Sequence, residues 1–197
     1  MKPLLVVDSP KRWPLKIPGM ELVSSYQYLS DPEYAQGPGR KVFNLCRSFR
    51  YQEAGYYVSL LAEARGHKPL PSVSVIQDLK LAPVIRVASQ DLDELIQDNL
   101  KRIKADEFNL SIYFGHNMAK KYDALSQSLF NQFPAPFLRA NFKYESKWEL
   151  ESLRAIPSSE IAEEHRPYAK EQAMAYFSRP SMPSKRRKAA RYDRAIL

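Results

Sequence analysis

The stretch VFNLCRSFRYQEAGYYVSLLAEARGH (Val42–His67) combines an apolar strand, a polar loop and an amphipathic helix. Val42–Cys46 is the strand, and only Asn44 interrupts its apolar character. Tyr51–Arg65 is predicted to be a helix, because apolar side chains recur in it with a period of about 3.6 residues. The residues on the predicted inner face are Ala54, Tyr57, Val58 and Leu61. Gly66 follows where a helix C-cap is expected, so the unit reads as strand, loop and helix.

Similar patterns lie on both sides of this unit. Short apolar runs bounded by turn residues predict strands at Leu4–Val7, Glu21–Ser24, Pro83–Val87 and Leu110–Phe114. Helical spacing predicts helices at Leu92–Ile103, Met118–Asn131 and Ile161–Phe177. Ser89 or Asp91 is the expected cap of the first of these helices, and Pro167 is best tolerated at the first position of a helix.

Two further strands, Phe137–Tyr144 and Trp148–Ile156, are predicted to form a hairpin. Strands that alternate with helices, followed by a hairpin, indicate an α/β class. The predicted fold is a mixed β-sheet flanked by helices, with a C-terminal β-hairpin and helical segment.

The chain of 197 residues is predicted to form one α/β domain over residues 1–177. Residues 178–190 (SRPSMPSKRRKAA) are polar, basic and broken by proline, which is typical of a linker. Residues 191–197 (RYDRAIL) become apolar again and predict the start of a next strand that is cut off.

The net charge of +8 is unevenly distributed. Residues 179–197 carry +6 and the rest of the chain carries +2, so the high pI is not an argument that the whole protein binds nucleic acid. The basic run consists of Lys185, Arg186, Arg187 and Lys188. It could contact a polyanion through non-specific charge attraction. The absence of interleaved aromatic residues favours a solvated linker instead, and a nucleic-acid partner is not expected.

A single cysteine, Cys46, excludes an intrachain disulfide and suits a reducing cytoplasm. No apolar run approaches the roughly 20 residues that a membrane span requires. The expectation is therefore a cytoplasmic protein without a membrane partner.

The polar loop after the first quoted strand is the main candidate site. Arg47, Ser48 and Arg50 follow the strand and precede the helix, where unpaired N–H groups and guanidinium groups favour a carboxylate or phosphate. Ligands of open α/β sheets bind beyond the carboxyl ends of strands. The alternative is that Arg47 and Arg50 pair with acidic residues on neighbouring loops. No Gly-rich phosphate loop is present, so a nucleotide site is not supported here.

A second loop after a strand contains His116 and Asn117. His116 could act as a general base or bind an anion, although a solvent-facing histidine that caps the next helix is the simpler interpretation. The three histidines lack the spacing of metal ligands, so no metal site is expected. Cys46 is expected to be a small buried residue. Tyr56, Tyr57 and Trp148 are most simply explained as core or packing residues.

The segment RKVFNLCRSFRYQEAGYYVSLLAEARGHKPLPSVSVIQDL (Arg40–Leu79) resembles the RimK-like ATP-grasp N-terminal domain. Four shorter segments add to this resemblance. They are LLVVD (Leu4–Asp8), WPLKIPG (Trp13–Gly19), YLSDPEY (Tyr28–Tyr34) and ARYDRAIL (Ala190–Leu197).

The resemblance implies a bacterial protein whose full-length form joins a carboxylate to an amine with ATP and Mg²⁺. The lysines and carboxylates of the catalytic module have no counterpart in this sequence, so no catalytic residue and no cofactor are assigned to the chain. Expected partners are an ATP-grasp module in cis or in trans and a peptide or amino-acid substrate. The residues nominated for ligand binding or domain docking are Asn44, Arg47, Ser48, Tyr51, Gln52, Tyr56 and His67, with Arg50, His116 and Asn117 as further candidates.

Three functions are compatible with these features. The first is a non-catalytic accessory domain of an ATP-dependent carboxylate–amine ligase. The second is a stand-alone binding module whose basic tail contacts RNA, a ribosome or another acidic partner. The third, a small enzyme built around Arg47 and His116, lacks a complete set of acid, base and nucleophile.

Overall fold

The computed structural model describes residues 2–15 and 17–178, which form seven strands and seven α-helices. The strands are β1 (Leu4–Val7), β2 (Glu21–Ser24), β3 (Lys41–Asn44), β4 (Lys68–Leu70), β5 (Glu107–Tyr113), β6 (Phe137–Tyr144) and β7 (Trp148–Ala155). The helices are α1 (Ser25–Ser30), α2 (Ala54–Ala64), α3 (Val73–Asp78), α4 (Ala82–Asp91), α5 (Asp93–Leu100), α6 (Asp123–Gln132) and α7 (Arg166–Ser178). The predicted α/β class is confirmed.

The first four strands form a parallel sheet in the order β2-β1-β3-β4. Leu5 of β1 pairs with Leu22 on one side and with Phe43 on the other. All four residues of β1 are buried, as expected for a central parallel strand covered on both faces. The chain adds β2 on one side of β1 and then crosses to add β3 on the other side. The order of the strands therefore reverses between β1 and β3, which makes this a topological switch point.

Helix α2 covers one face of the parallel sheet, but through a different stripe of residues from the predicted one. It buries Gly55, Val58, Ser59 and Ala62. Three of these side chains are small or absent, which lets the helix approach the sheet closely. Tyr57 lies on the outer side with 38% of its surface exposed, so it is not a core residue, and its ring packs on that of Tyr56 with centroids 5.7 Å apart. The helix begins at Ala54 rather than at Tyr51, because Gln52 has a φ of 72° that no helix accepts.

The predicted strand at Pro83–Val87 is wrong, because these residues lie in α4. Pro83 stands in the first turn of the helix, where its missing N–H is not needed. Ile85 and Ala88 then fall on one buried face. The expected cap of the next helix is also wrong. Ser89 lies inside α4, where its Oγ accepts a hydrogen bond from the N–H of Leu150 at 2.9 Å, and α5 begins only at Asp93.

The last three strands form a separate antiparallel sheet in the order β5-β6-β7. The predicted hairpin is confirmed as β6 and β7, with Tyr144 opposite Trp148 at its closed end. Trp148 is buried, as predicted. Helix α6 begins at Asp123, later than predicted, because Lys120–Tyr122 forms a 3₁₀ turn.

Helix α7 packs on the second face of the parallel sheet, opposite α2. Its Ala169 and Ala173 share a buried cluster with Leu5 and Phe43 of that sheet, and Phe137 of β6 belongs to the same cluster. Alternate residues of β1 point to opposite faces of the sheet. Leu4 and Val6 pack on the α2 side, in a second cluster with Val58 and Ala62. The two sheets are thus joined through one apolar layer.

The predicted linker, the cut-off strand and the basic run Lys185–Lys188 lie outside the described residues. Within the part of the chain that the structure describes, no helix combines the length and apolar character needed to cross a bilayer.

Candidate functional site

A cleft of about 370 Å³ opens at the carboxyl ends of β1 and β3, at the topological switch point. Three segments of the chain line it. Asp8, Ser9 and Arg12 follow β1, Arg47 follows β3, and Ser158, Ser159 and Arg166 form the opposite wall. Because neighbouring parallel strands end at the same edge of a sheet, residues far apart in the chain meet here. We call this feature the switch-point cleft.

Beyond the backbone pairing of β1 with β3, a hydrogen bond to a side chain joins the two loops that follow these strands. The backbone N–H of Arg47 donates to Oδ2 of Asp8 at 2.8 Å. This bond connects the loop after β1 to the loop after β3 and fixes the register of the cleft floor. Beneath it, Cys46 is buried, as predicted. Burial first, and the nearby Asp8 carboxylate second, raise the pKa of the Cys46 thiol. This thiol therefore stays neutral and is not a nucleophile at ordinary pH.

The cleft is rich in guanidinium groups. Arg166 is paired with Glu163 at 3.1 Å. Arg12 and Arg47 are exposed, and neither guanidinium has a hydrogen-bond or ion-pair partner among residues 2–15 and 17–178. The alternative interpretation, in which Arg47 and Arg50 pair with acidic residues on neighbouring loops, is therefore not observed in this part of the chain. Two guanidinium groups without a partner are suited to receive an anionic group from a ligand.

Ser48 and Arg50 do not line the cleft. The Oγ of Ser48 accepts a hydrogen bond from the backbone N–H of Arg50 at 3.3 Å, which shapes the loop itself. The Arg50 side chain is exposed on the outside of the loop. Of the three loop residues nominated from the sequence, only Arg47 enters the cleft.

Tyr51, Gln52 and Tyr56 lie on the outer surface of the same loop and helix. The rings of Tyr51 and Tyr56 are edge to face, with centroids 5.7 Å apart. The ammonium of Lys80 lies 6.0 Å from the centre of the Tyr56 ring and donates a hydrogen bond to the carbonyl of Phe49 at 2.8 Å. These contacts brace the loop from outside, and none of the three nominated side chains lines the cleft.

Asn44 is fully buried beneath the loop. Its Nδ2 donates to the carbonyl of Gly55 at 2.6 Å and to Oγ of Ser59 at 2.9 Å, while Oδ1 accepts from the N–H of Cys46 at 3.3 Å. The side chain thus joins the end of β3 to α2 from within the core. All of these contacts are to the protein itself.

His67 is also buried, just beyond the C-terminal end of α2, whereas the cleft loop precedes the N-terminal end. Its Nδ1 lies 2.9 Å from the hydroxyl of Tyr28. The pKa of His67 is lowered, first because burial disfavours the charged imidazolium; the Gln36 backbone opposes this shift, and the positive charges of Arg65 and Arg40 add smaller contributions in the lowering direction. His67 is therefore neutral in the folded protein near neutral pH.

This neutral histidine leads to a pH-dependent stability. The pKa of His67 in the folded protein lies below its unfolded value of about 6.5. The contribution of neutral His67 to the free energy of unfolding is therefore complete above about pH 6.5 and is lost as the pH falls below that value. We expect the unfolding free energy of the native protein to decrease from pH 7.5 to pH 5 more than that of His67→Gln. Urea unfolding of both proteins at several pH values measures the difference. An unfolding-free-energy difference between the two proteins that stays constant over this range would contradict the assignment.

His116 and Asn117 lie at the end of β5, on the other sheet, and do not line the switch-point cleft. The Nδ1 of His116 lies 3.6 Å from Oδ2 of Asp123, the first residue of α6. Asn117 uses its Nδ2 to donate to the carbonyl of Ser111 at 2.7 Å, and its carbonyl accepts from the hydroxyl of Tyr168 at 2.7 Å. The structure therefore does not bring Arg47 and His116 into one site.

Asp8, Ser9, Arg12 and Arg166 were missed by the sequence interpretation. Asp8 and Ser9 were interpreted only as the turn that ends the first strand. A usable signal was present, because Asp8 is the first residue after β1 and Arg47 is the third residue after β3. What the sequence lacks is the information that β1 and β3 are neighbours.

The lining of the cleft does not fit a metal–nucleotide site. It contains neither glycine nor lysine, so the glycine-rich backbone loop and the lysine that hold the phosphates of a nucleotide are both missing from it. Elsewhere among the described residues, no three His, Cys, Asp or Glu side chains are grouped so that they could hold a metal ion. No step involving ATP or Mg²⁺ is derived for this chain.

Comparison with known proteins identifies the family. The model of the RimK-like ATPgrasp N-terminal domain matches residues 25–172, which is more than half of the chain. The match begins at α1 and ends inside α7, so it includes Arg47 and Arg166 but neither Asp8 nor Arg12. No curated protein matches the sequence. This chain belongs to the family of RimK-like ATP-grasp N-terminal domains.

Proposed function

We propose that this domain is a non-catalytic ligand-binding module that holds a carboxylate group of the substrate for an ATP-grasp ligase module. The observation that carries the proposal is the pair of unpartnered guanidinium groups, Arg12 and Arg47, in the switch-point cleft. The ATP-grasp module, in cis or in trans, would supply ATP, Mg²⁺ and the chemistry in the bacterial cytoplasm.

A carboxylate is the anion that best suits this arrangement. Guanidinium groups bind carboxylates with two parallel hydrogen bonds, and two of them on separate loops can enclose one carboxylate from both sides. The hydroxyl groups of Ser9, Ser158 and Ser159 in the lining offer additional neutral donors. The position supports the same role, because small ligands of open α/β sheets bind at the switch point.

A non-catalytic role is supported by the residue types in the lining. The cleft presents no histidine and no cysteine, and Asp8 is its only carboxylate. A hydrolase or transferase would need a nucleophile with a neighbouring base, or a pair of groups for acid and base catalysis. The proposal gives Tyr51, Gln52 and Tyr56 no part in ligand contact, because they lie outside the lining.

The cleft arginines provide the first test. We expect Arg47→Gln and Arg12→Gln each to weaken the binding of N-acetyl-alanyl-alanine, a carboxylate without an amine, by about tenfold or more. A hydrogen bond to a charged group contributes about 1.5–3 kcal/mol, which corresponds to such a change. Amide chemical shifts of the ¹⁵N-labelled chain, followed during titration, measure the affinity.

Arg50→Gln is the matched control, because it makes the same chemical change in the same loop but outside the cleft. Its affinity is expected to equal that of the native protein. A parallel titration with ATP and Mg²⁺ is expected to give no binding to this chain. Equal losses in all three variants, or Mg²⁺-dependent ATP binding, would contradict the proposed function.

A further inference from the structure

The switch-point cleft contains charges of both signs that do not neutralise each other. Asp8 shares the lining with Arg12 and Arg47. Within the described residues, the Asp8 carboxylate forms no ion pair with any basic side chain. It accepts a hydrogen bond from a neutral group instead, the backbone N–H of Arg47 at 2.8 Å. A carboxylate has about four acceptor positions, so Asp8 can still accept hydrogen bonds from a ligand.

The separation of these charges follows from the fold. The bond from Arg47 N–H to Asp8 ties the carboxylate to the cleft floor, while the Arg47 side chain is exposed and forms no ion pair with it among the described residues. Arg12 stands at the end of the 3₁₀ turn Pro10–Arg12, where the proline restricts the backbone. The acid and the two bases therefore line one cavity without forming ion pairs with each other in the described part of the chain.

We propose that the cleft recognises a zwitterion, with the carboxylate of the ligand on Arg12 and Arg47 and its ammonium group on Asp8. This inference rests on the proposed function and names its ligand class: an amino acid or a short peptide with a free amino group. A volume of about 370 Å³ accommodates ligands of this size. Asp8 also repels simple anions such as phosphate or a dicarboxylate, which gives it a role in specificity.

Paired ligands that differ only in the amine test the role of Asp8. Alanine is compared with N-acetylalanine, and alanyl-alanine with N-acetyl-alanyl-alanine, by titration of the ¹⁵N-labelled full chain. We expect the free amine to bind at least about tenfold more tightly than its acetylated partner, as a charge-assisted hydrogen bond requires. The pair that shows the larger preference distinguishes a free amino acid from a peptide.

Asp8→Asn is the decisive variant. Asparagine keeps an oxygen that can accept the N–H of Arg47, so the loops are expected to stay in place, and unshifted amide signals over residues 44–50 check this. We expect the preference for the free amine to disappear while the acetylated ligands bind as well as before or more tightly. This outcome would establish Asp8 as the ammonium-binding residue.

The possible failures are distinguishable. If the native protein binds acetylated and free ligands equally, or if Asp8→Asn keeps the preference, the zwitterion is excluded, although carboxylate binding through Arg12 and Arg47 can still stand. If no ligand with a carboxylate binds, with or without an amine, both the zwitterion and the proposed function are overturned.

Discussion

Replacing Gly55 by alanine is expected to lower the free energy of unfolding by about 2 kcal/mol or more. Gly55 is the second residue of α2 and is packed against the loop that carries Arg47. A Cβ at this position would lie 2.3 Å from the carbonyl oxygen of Ser48 and 2.9 Å from Cβ of Cys46. The first contact is with backbone, so the loop itself has to move.

The direction of this effect opposes helix propensity. In a helix interior, alanine is more favourable than glycine by about 1 kcal/mol. A destabilised Gly55→Ala protein would therefore mean that the steric contact is larger than the gain in propensity. Because the displaced loop carries Arg47, we also expect weaker binding of the carboxylate ligand. Urea unfolding and the same ligand titration measure the two effects.

Gly19→Ala is the control for the loss of a glycine without a clash. Gly19 has a φ of 79°, and an added Cβ there would meet nothing within 4 Å. The substitution is expected to lower the free energy of unfolding only by the strain of an alanine in a left-handed conformation, about 1 kcal/mol. A Gly55→Ala protein that is as stable as the native one, or more stable, would show that the loop does not pack closely enough against this residue to exclude a Cβ.

Replacing Asn44 by aspartate is expected to destabilise the protein by about 3 kcal/mol or more. The change removes the Nδ2 donor that serves the carbonyl of Gly55 at 2.6 Å and Oγ of Ser59 at 2.9 Å. It also places a negative oxygen against that buried carbonyl. Ser59 cannot compensate without breaking its own bond, since its hydroxyl donates to the carbonyl of Pro71 at 2.8 Å.

This substitution also separates a structural role of Asn44 from the ligand-binding role suggested by the sequence. If Asn44 acts only inside the core, the folded fraction of Asn44→Asp should bind the carboxylate ligand with native affinity. Asn131→Asp makes the same change on the exposed side of α6 and should alter stability by less than about 1 kcal/mol. Native stability combined with lost binding would instead identify Asn44 as a ligand contact.

Several elements were predictable because their signal is local. The strand Leu4–Val7 and the hairpin of β6 and β7 were found, since short apolar or alternating runs need only nearby residues to define them. The helix after β3 was found by its period, although its buried face was wrong. That face depends on how the helix packs on the sheet and on the loop before it, and Gly55 lies directly against this loop.

The error at Pro83–Val87 has a similar cause. Its β-branched residues favour a strand by propensity, but Ile85 and Ala88 are buried in the cluster that also contains Leu153 of β7. Packing against a distant strand overrides the local preference. The same applies to the sheets, because the sequence alone does not separate a parallel sheet of β1 to β4 from an antiparallel sheet of β5 to β7.

For the candidate site, the sequence by itself determined the family, and it nominated the loop after β3, including Arg47. Both rest on residues that are continuous in the chain. Only the tertiary structure decided that Asp8, Arg12 and Arg166 line one cleft with Arg47, and that Asn44 and His67 are buried. The physical reason is that a switch-point cleft is created by the order of strands in a sheet. Strand order is set by long-range packing, which no local pattern of residues contains.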